Sequence, residues 1–309
     1  MTVVLEIEQL TKDYEVGFLR KRRVRALDDL SLAVERGEIF GFLGANGAGK
    51  STTMKLLMRL IYPTGGRAAI LGRDINDVSM HARIGYLPEH PYFYDYLTAR
   101  EFLEYCAELF GHTRRDCRQR AEDLLARVRL DEQSWDKQLR KFSKGMLQRV
   151  GLAQALVNDP EIVFLDEPMS GLDPVGRREV RDLIASLRQR GTTVFLCSHI
   201  LADIEVLCDR AAILQKGRLA HAGRLEDLRR RAGTRAMELI VANTNADRLR
   251  AALRELPAAE VTPTPGGARV EVPSEQEVDA ALAAVRATGA RLVSVQPVGN
   301  PLEDLFTNS

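Results

Sequence analysis

Residues 31–60 read SLAVERGEIFGFLGANGAGKSTTMKLLMRL, an apolar run followed by a glycine-rich turn and a second apolar stretch. The run over 31–43 predicts a strand, and residues 50–60 predict a helix. Between them, residues 44–51 match the pattern G-x-x-x-x-G-K-[ST] in full. A strand, a tight loop and a helix in this order predict a phosphate-binding cradle.

The residue types of this loop indicate how it would hold a phosphate. Glycines let the backbone curl so that its N–H groups and the helix N-terminus face the anion. Lys50 is expected to reach the β- and γ-phosphates, and Ser51 to ligate Mg²⁺. The alternative is a glycine-rich turn that only begins a helix. The candidate nucleotide-binding residues are Gly44, Ala45, Asn46, Gly47, Ala48, Gly49, Lys50, Ser51 and Thr52.

A second apolar run, IVFLDEP, ends in the carboxylates Asp166 and Glu167. If its strand lies beside the strand that leads into the cradle, Asp166 would hold Mg²⁺ and Glu167 would act as general base or position the attacking water. By itself, such a pair is often only a solvated turn. Glutamate directly after aspartate favours water as the phosphoryl acceptor over a metabolite, the acceptor in a kinase-like reaction.

The pattern along the rest of the chain predicts two domains. Residues 3–10 read as a strand, and residues 98–157 carry apolar residues at helical spacing, which predicts a helical insert. TTVFLCSH (192–199) predicts a buried strand, joined to IVFLDEP by a helix over 174–190 in a parallel βαβ unit. Two antiparallel strands, AAILQKG and RLAHAG, then close a first domain near residue 232.

The remaining residues, 233–309, predict a smaller domain. Strand, helix, two strands around PTPGGARVEV, helix and strand follow one another, and this βαββαβ order is ferredoxin-like. PLEDLF (301–306) predicts a final short helix. No residue in this domain has a catalytic pattern.

Charge and composition exclude several classes of protein. The 309 residues carry a net charge of +1, so overall charge gives no long-range attraction to nucleic acid or anionic lipid, and any such binding must be local. The four cysteines form no C-x-x-C pair, which argues against a zinc site or disulfide framework. No run of about 18 apolar residues occurs, and the N-terminal residues do not resemble a secretion signal.

Taken together, the motifs over residues 3–232 resemble the ATP-binding subunits of ABC transporters. The resemblance implies an α/β P-loop NTPase fold with a helical subdomain (98–157), followed by an α+β ferredoxin-like domain (233–309) similar to the accessory domain of exporter-type, ABC-2 subunits. It also implies that ATP is bound with Mg²⁺ and hydrolysed. The chain would work as a homodimer, or paired with a similar ATPase subunit, at the cytoplasmic face of the membrane. There it would power export through a separate transmembrane permease, and no nucleic acid partner is expected.

The segment FSKGMLQR (142–149) occupies the place of the family's signature between the two nucleotide motifs. There, Ser143 and Gly145 would contact the phosphate of ATP held in the other subunit. Ser143 is a good N-cap, so the amides of Lys144, Gly145 and Met146 could face that phosphate. Lys144 and Met146 replace the usual Gly and Gln, and a plain capped helix is the alternative.

The resemblance assigns further roles residue by residue. Asp173, in SGLDP, would cross the dimer, although it could equally cap the helix that follows. His199 would contact the γ-phosphate during catalysis. Glu89 stands where the family has a glutamine that touches Mg²⁺ and the membrane partner. Tyr14 would stack on adenine, with a core tyrosine as the competing interpretation.

Two segments and two other functions stay open. RKRRVR (20–25) is either a solvated hairpin tip or a contact for lipid headgroups or an acidic partner loop. PYFYDYLT (91–98) is either a coupling surface for the membrane subunit or local core packing. The rival functions are a soluble ABC ATPase acting on ribosomes or DNA, and a regulator that binds nucleotide without hydrolysing it.

Overall fold

The computed structural model describes residues 2–17, 21–231 and 236–298. The chain forms two compact units, Met1–Leu225 and Glu226–Ser309. The sequence pattern placed this division near residue 232, whereas the structure places helix α7 (Leu225–Arg231) almost wholly in the second unit. The helix predicted over 301–306 lies outside the described residues.

The first unit contains both strands and helices. Its strands are β1 (Val3–Val16), β2 (Arg22–Glu35), β3 (Ile39–Gly44), β4 (Gly65–Ile70), β5 (Arg73–Asp74), β6 (Ile84–Leu87), β7 (Ile162–Asp166), β8 (Thr193–Ser198), β9 (Arg210–Gln215) and β10 (Arg218–Arg224). Its helices are α1 (Lys50–Leu57), α2 (Ala99–Leu109), α3 (Arg114–Arg127), α4 (Lys144–Ala155), α5 (Pro174–Gln189) and α6 (Leu201–Leu207).

Two sheets organise this unit. The larger has six strands in the order β10-β9-β3-β8-β7-β6, parallel except for β10, and the smaller has four antiparallel strands in the order β2-β1-β4-β5. Every residue of β3, β7 and β8 is buried, as expected for parallel strands covered on both faces. β8 lies between β3 and β7, so the strand that ends in Asp166 does not lie beside the strand that leads into the cradle, contrary to what the sequence suggested. Because all three strands are parallel, their carboxyl ends still meet at one edge of the sheet.

The predicted strand over 31–43 is wrong, because it combines parts of two strands from different sheets. β2 ends at Glu35 in the antiparallel sheet, and β3 begins at Ile39 in the parallel one. Gly37 turns the chain between them with φ 79°, and its N–H donates to Thr193 Oγ1 at 2.9 Å. The first strand also continues beyond the predicted residue 10, because residues up to Val16 pair with β2 as a hairpin.

Three helices, α2, α3 and α4, fill the predicted helical insert, and a polar residue caps each N-terminus. Thr98 forms a capping box with Glu101, while Thr113 and Ser143 accept a backbone N–H from the first turn of α3 and α4. Trp135 follows α3, and its indole N–H donates to Leu130 O at 2.9 Å. The sequence therefore placed this helical subdomain correctly.

The second unit has the ferredoxin-like order. Its elements are β11 (Met237–Ala242), α8 (Ala246–Ala252), β12 (Glu260–Thr264), β13 (Gly267–Val272), α9 (Val278–Ala287) and β14 (Arg291–Pro297). The four strands form an antiparallel sheet in the order β12-β13-β11-β14. Its core includes Leu239, Val270, Leu249 and Val285, which come from both strands and helices.

Within the described ranges, no helix of either unit is both long and apolar enough to cross a membrane.

Candidate active site

The loop between β3 and α1 forms one wall of a cleft of about 290 Å³. Gly49 precedes α1 with φ 110°, and a Cβ there would lie 2.8 Å from the backbone oxygen of Ala26. Gly47 also has a positive φ, 83°. The first N–H groups of α1 have no acceptor within the helix and are available to an anion. The cleft is lined by Ala26, Ala45, Asn46, Gly47, Gly49, Lys50, Ser51, Thr52, Glu89 and Glu167.

Lys50 is almost completely buried beneath this loop. Its Nζ donates to the carbonyl oxygens of Gly44 at 2.6 Å and Ala45 at 3.4 Å. The same nitrogen lies 3.7 Å from Glu167 Oε1. These contacts hold the ammonium group at the cleft, where it is shielded from water and would interact strongly with a phosphate.

Glu167 follows β7 directly and has an unusual backbone conformation. Its N–H donates to Cys197 O at 3.0 Å, which extends the β7–β8 pairing by one residue. Its φ is 50°, a left-handed conformation that typically costs about 1–3 kcal/mol for a residue other than glycine. The main chain therefore directs this carboxylate towards the cleft.

His199 comes from the end of the neighbouring strand, β8. Its Nδ1 lies 2.8 Å from Glu167 Oε1, and 44% of its side chain is exposed. The sequence predicted that His199 contacts the γ-phosphate but did not predict this pairing with Glu167. The βαβ order of β7 and β8 could have predicted this contact, because it places the carboxyl ends of the two strands side by side.

Asp166 is buried, and its Oδ1 has no hydrogen-bond partner among the described residues. Burial raises the pKa of its carboxyl group to about 6, assisted by repulsion from Glu89 and Glu167 and opposed by Lys50 and a hydrogen bond from Ser51. Three carboxylates thus face a single ammonium group, so the local negative charge is not balanced by protein groups.

This charge and the free oxygen fit a divalent cation. Mg²⁺ prefers oxygen ligands and is usually held by one or two carboxylates together with substrate phosphates. Ser51 and Asp166 are close enough to share a hydrogen bond, and the exposed Glu89 lines the same cleft. In the part of the chain that the structure describes, no group of three or more His, Cys, Asp or Glu side chains is arranged to hold a metal ion.

Ser143 and Gly145 border a different cavity, of about 580 Å³. Ser143 Oγ accepts the Met146 N–H at 3.3 Å, so this amide serves the cap of α4 and is not free for a phosphate. The amides of Lys144 and Gly145 have no acceptor within the helix. Two of the three amides considered from the sequence therefore stay available.

Asp173 borders the cavity that holds Ser143 and has a clear structural role. Its Oδ1 accepts the Gly176 N–H at 2.8 Å, and Pro174 stands at the first position of α5. The cap interpretation is thus confirmed. The role across a dimer stays a prediction.

Tyr14 lies in β1 and is half-buried, with Lys12 Nζ 5.2 Å from the centre of its ring. It is not among the residues that line the cleft, whereas Ala26 of β2 is. Ala26 was not predicted to be a site residue, because a lone alanine in a strand carries no functional pattern. Stacking of adenine on Tyr14 stays a prediction.

Comparison with known proteins gives consistent results. The ABC transporter family model matches residues 27–170. An uncharacterized ABC transporter ATP-binding protein of Synechocystis is 51% identical over 73% of this chain, a match that spans 64% of its own length. A second, from Nostoc, is 44% identical over 99% of this chain and 89% of its own.

Some similar proteins have more specific names, and others have solved structures. The daunorubicin resistance ATP-binding protein DrrA3 of Streptomyces coeruleorubidus is 36% identical over 85% of this chain and 83% of its own length. An ATP-binding cassette solved as a dimer, in a post-hydrolysis state bound to ADP and Pi, superposes with a TM-score of 0.66. It is 26% identical and covers 72% of this chain and 98% of its own.

Proposed function

We propose that ATP hydrolysis by this chain powers export through a separate transmembrane permease. The chain belongs to the family of ABC transporter ATP-binding proteins, and the proposal starts from that membership. The chain is an ATPase of that family. The observation that carries the catalytic part of the proposal is the convergence of Lys50 and His199 on one oxygen of Glu167.

Each group of residues in the cleft has a separate role in hydrolysis. The cradle amides and Lys50 bind the β- and γ-phosphates. Glu167 orients a water molecule and accepts its proton as the water oxygen attacks the γ-phosphorus, and the bond from that phosphorus to the bridging oxygen breaks to release ADP and inorganic phosphate. His199 lies against Glu167 and contacts the γ-phosphate. Mg²⁺, held by Ser51, Asp166 and Glu89, would neutralise charge on the phosphate oxygens.

A second copy would complete each site. The cleft with Lys50 and the cavity with Ser143 have separate linings within one chain, so Ser143, Gly145 and Asp173 would act on nucleotide bound by a partner. The dimeric structure of a similar cassette with ADP and Pi supports this arrangement. The partner is a second copy of this chain or a similar ATPase subunit.

Exposed apolar residues support a permease contact on the first unit. An apolar cleft of about 310 Å³ includes Leu60, Leu109 and Phe110, of which Leu109 is 69% exposed. Nearby in sequence, Tyr92 is 87% and Tyr96 61% exposed. Exposed aromatic and apolar side chains of this kind are typical of protein interfaces.

The proposal of export rests on a relative. The alignment with the daunorubicin resistance protein spans 265 residues, more than the first unit contains, and resistance is a function that export provides. We infer an exporter-type, ABC-2 subunit that lies peripherally at the cytoplasmic face. The ferredoxin-like unit would steady the dimer or regulate turnover.

Detergent co-purification tests the permease contact. A specific multi-span membrane protein should accompany the chain, and Tyr92→Ala/Tyr96→Ala should reduce its recovery while the ATPase rate of the free chain stays unchanged. Val206→Ala is the matched control, since Val206 is 67% exposed on α6. Recovery of ribosomes or DNA in place of a membrane protein would favour the soluble alternative, and export is tested by transport in proteoliposomes.

A further inference from the structure

The hairpin of β1 and β2 extends beyond the sheet to which it belongs. β1 pairs with β4 only as far as Thr11, whereas its pairing with β2 continues to the pair Val16 and Arg22. Side-chain contacts fix the start of this extension, since Thr64 Oγ1 accepts the Asp13 N–H at 3.0 Å. The residues beyond Asp13 therefore form a two-stranded ribbon with solvent on its sides.

Ion pairs neutralise several, but not all, of the charges along the ribbon. Arg25 pairs with Asp13 and with Asp28, both at 2.9 Å, and Lys21 pairs with Glu15 at 2.7 Å. Such pairs leave little net charge.

Arg22 and Arg23 are both exposed and form no ion pair or side-chain hydrogen bond within the described residues. Arg22 shares a face with Val16 and Val24, whereas Arg23 lies opposite Glu15 on the other face and helps to lower the pKa of Asp13. Arg22 lies opposite Val16 and Val24 opposite Tyr14, so one face of the ribbon carries apolar residues beside an unpaired guanidinium group. Val16 is 54% and Val24 43% exposed. Basic and apolar side chains together are typical of surfaces that bind the headgroup region of a bilayer.

We propose that this ribbon end, formed by Val16, Arg22, Arg23 and Val24, docks on anionic lipid headgroups. The guanidinium groups bind the phosphates of the headgroups, and the valines enter the boundary with the acyl chains. Since the whole chain has a net charge of +1, the attraction is local and needs these side chains in particular. This surface adds a membrane contact that does not depend on the permease.

Vesicle flotation with the purified full-length chain tests the proposal. The chain should float with mixed phosphatidylglycerol–phosphatidylcholine vesicles and much less with phosphatidylcholine alone, and added salt should weaken the binding. Removing two basic residues near the surface should lower the partition coefficient about 30-fold. The test variant is R22Q/R23Q, and R22K/R23K should restore binding because it keeps both charges.

The matched control is R114Q/R115Q, which removes two exposed arginines at the start of α3 that form no ion pair or side-chain hydrogen bond within the described ranges. Its binding should equal that of the wild type. An equal loss from both glutamine pairs would show that net charge alone matters, and that would overturn the proposal. Absence of binding to anionic vesicles, with R22Q/R23Q weakening only a permease complex, would assign the surface to an acidic protein segment and also overturn it.

Discussion

His199 Nδ1 lies 2.8 Å from Glu167 Oε1. The two side chains differ in their environment, since 44% of the histidine side chain but only 7% of the glutamate side chain is exposed. The imidazole can therefore turn towards bound nucleotide, while the carboxylate is held by its backbone and by the surrounding protein. This asymmetry makes Glu167 the fixed member of the pair and His199 the adjustable one.

Removing the histidine should slow hydrolysis much more than it weakens ATP binding. His199→Ala should lower kcat by about 100-fold or more, the usual contribution of a group that assists proton transfer. The Kd for ATP should change only a few-fold, because Lys50 and the cradle keep their contacts. Steady-state phosphate release and equilibrium nucleotide binding measure the two quantities. His112→Ala, outside the cleft, should leave both unchanged, and an undiminished kcat in His199→Ala would contradict the assigned role.

Replacing the catalytic carboxylate by its amide should stop turnover and keep ATP bound. Glu167→Gln preserves the shape of the side chain but removes its capacity to accept a proton, so kcat should fall by at least about 100-fold. Light scattering with ATP and Mg²⁺ should then detect a stable dimer. The control is Glu161→Gln. Glu161 immediately precedes β7, and its carboxylate pairs with Arg36 and Arg83. That variant should stay active, and equal losses in both would argue against a catalytic role for Glu167.

Asp166 should reduce the stability of the nucleotide-free protein at neutral pH. Its pKa is raised from 3.8 to about 6 in the folded state, so the folded protein binds this proton more tightly than the unfolded chain. Its ionisation therefore lowers the free energy of unfolding as pH rises from 4 towards 6, and the full cost is present above 6.

Asp166→Asn should then raise the free energy of unfolding at neutral pH by up to ~3 kcal/mol and have little effect near pH ~4. Denaturant unfolding without Mg²⁺ or nucleotide, at both pH values, measures this difference. The same variant should lose most Mg²⁺-dependent hydrolysis. A pH-independent change in stability would show that the charge of Asp166 is not the cause.

Gly49→Ala should damage the cradle more than the same change at another left-handed glycine. Gly49 and Gly37 have φ values of 110° and 79°, so alanine at either position carries a backbone cost of about 1–2 kcal/mol. Only at Gly49 would the new Cβ meet the Ala26 backbone oxygen, at 2.8 Å. Gly49→Ala should lose an additional ~1–3 kcal/mol of stability and most ATP binding. Equal effects on thermal unfolding and nucleotide binding would rule out this contact as the cause.

The sequence predicted the elements whose signals are local. The end of β3, the glycine loop and the helix that begins at Lys50 lie within a few residues of one another. Their sequence pattern therefore predicts both the local structure and the binding of phosphate. The single strand over 31–43 failed for the opposite reason. Arg36 and Gly37 separate two strands that belong to different sheets, and sheet membership depends on partners far away in the chain.

The contacts within the site were less predictable than its members. Glu167 and His199 were both identified, but their hydrogen bond depends on the exact ends of two strands and on the left-handed backbone of Glu167. Ala26 reaches the cleft through the pairing of β2 with β1, and nothing in its residue type reveals this. Within PYFYDYLT, Phe93 packs on Phe102, as the core-packing alternative expects, and Tyr92 is exposed. A coupling surface for the membrane subunit stays a prediction.

The separation of Lys50 and Ser143 into different cavities has a genetic consequence under the proposed pairing. Each reaction centre would combine Lys50 of one copy with Ser143 of the other. Mutations at Lys50 and mutations at Ser143 would therefore complement each other. A copy disabled at Lys50 and a copy disabled at Ser143 would each be inert alone. Mixed together, they would reconstitute one working centre in every heterodimer, and co-expression would rescue part of the phenotype.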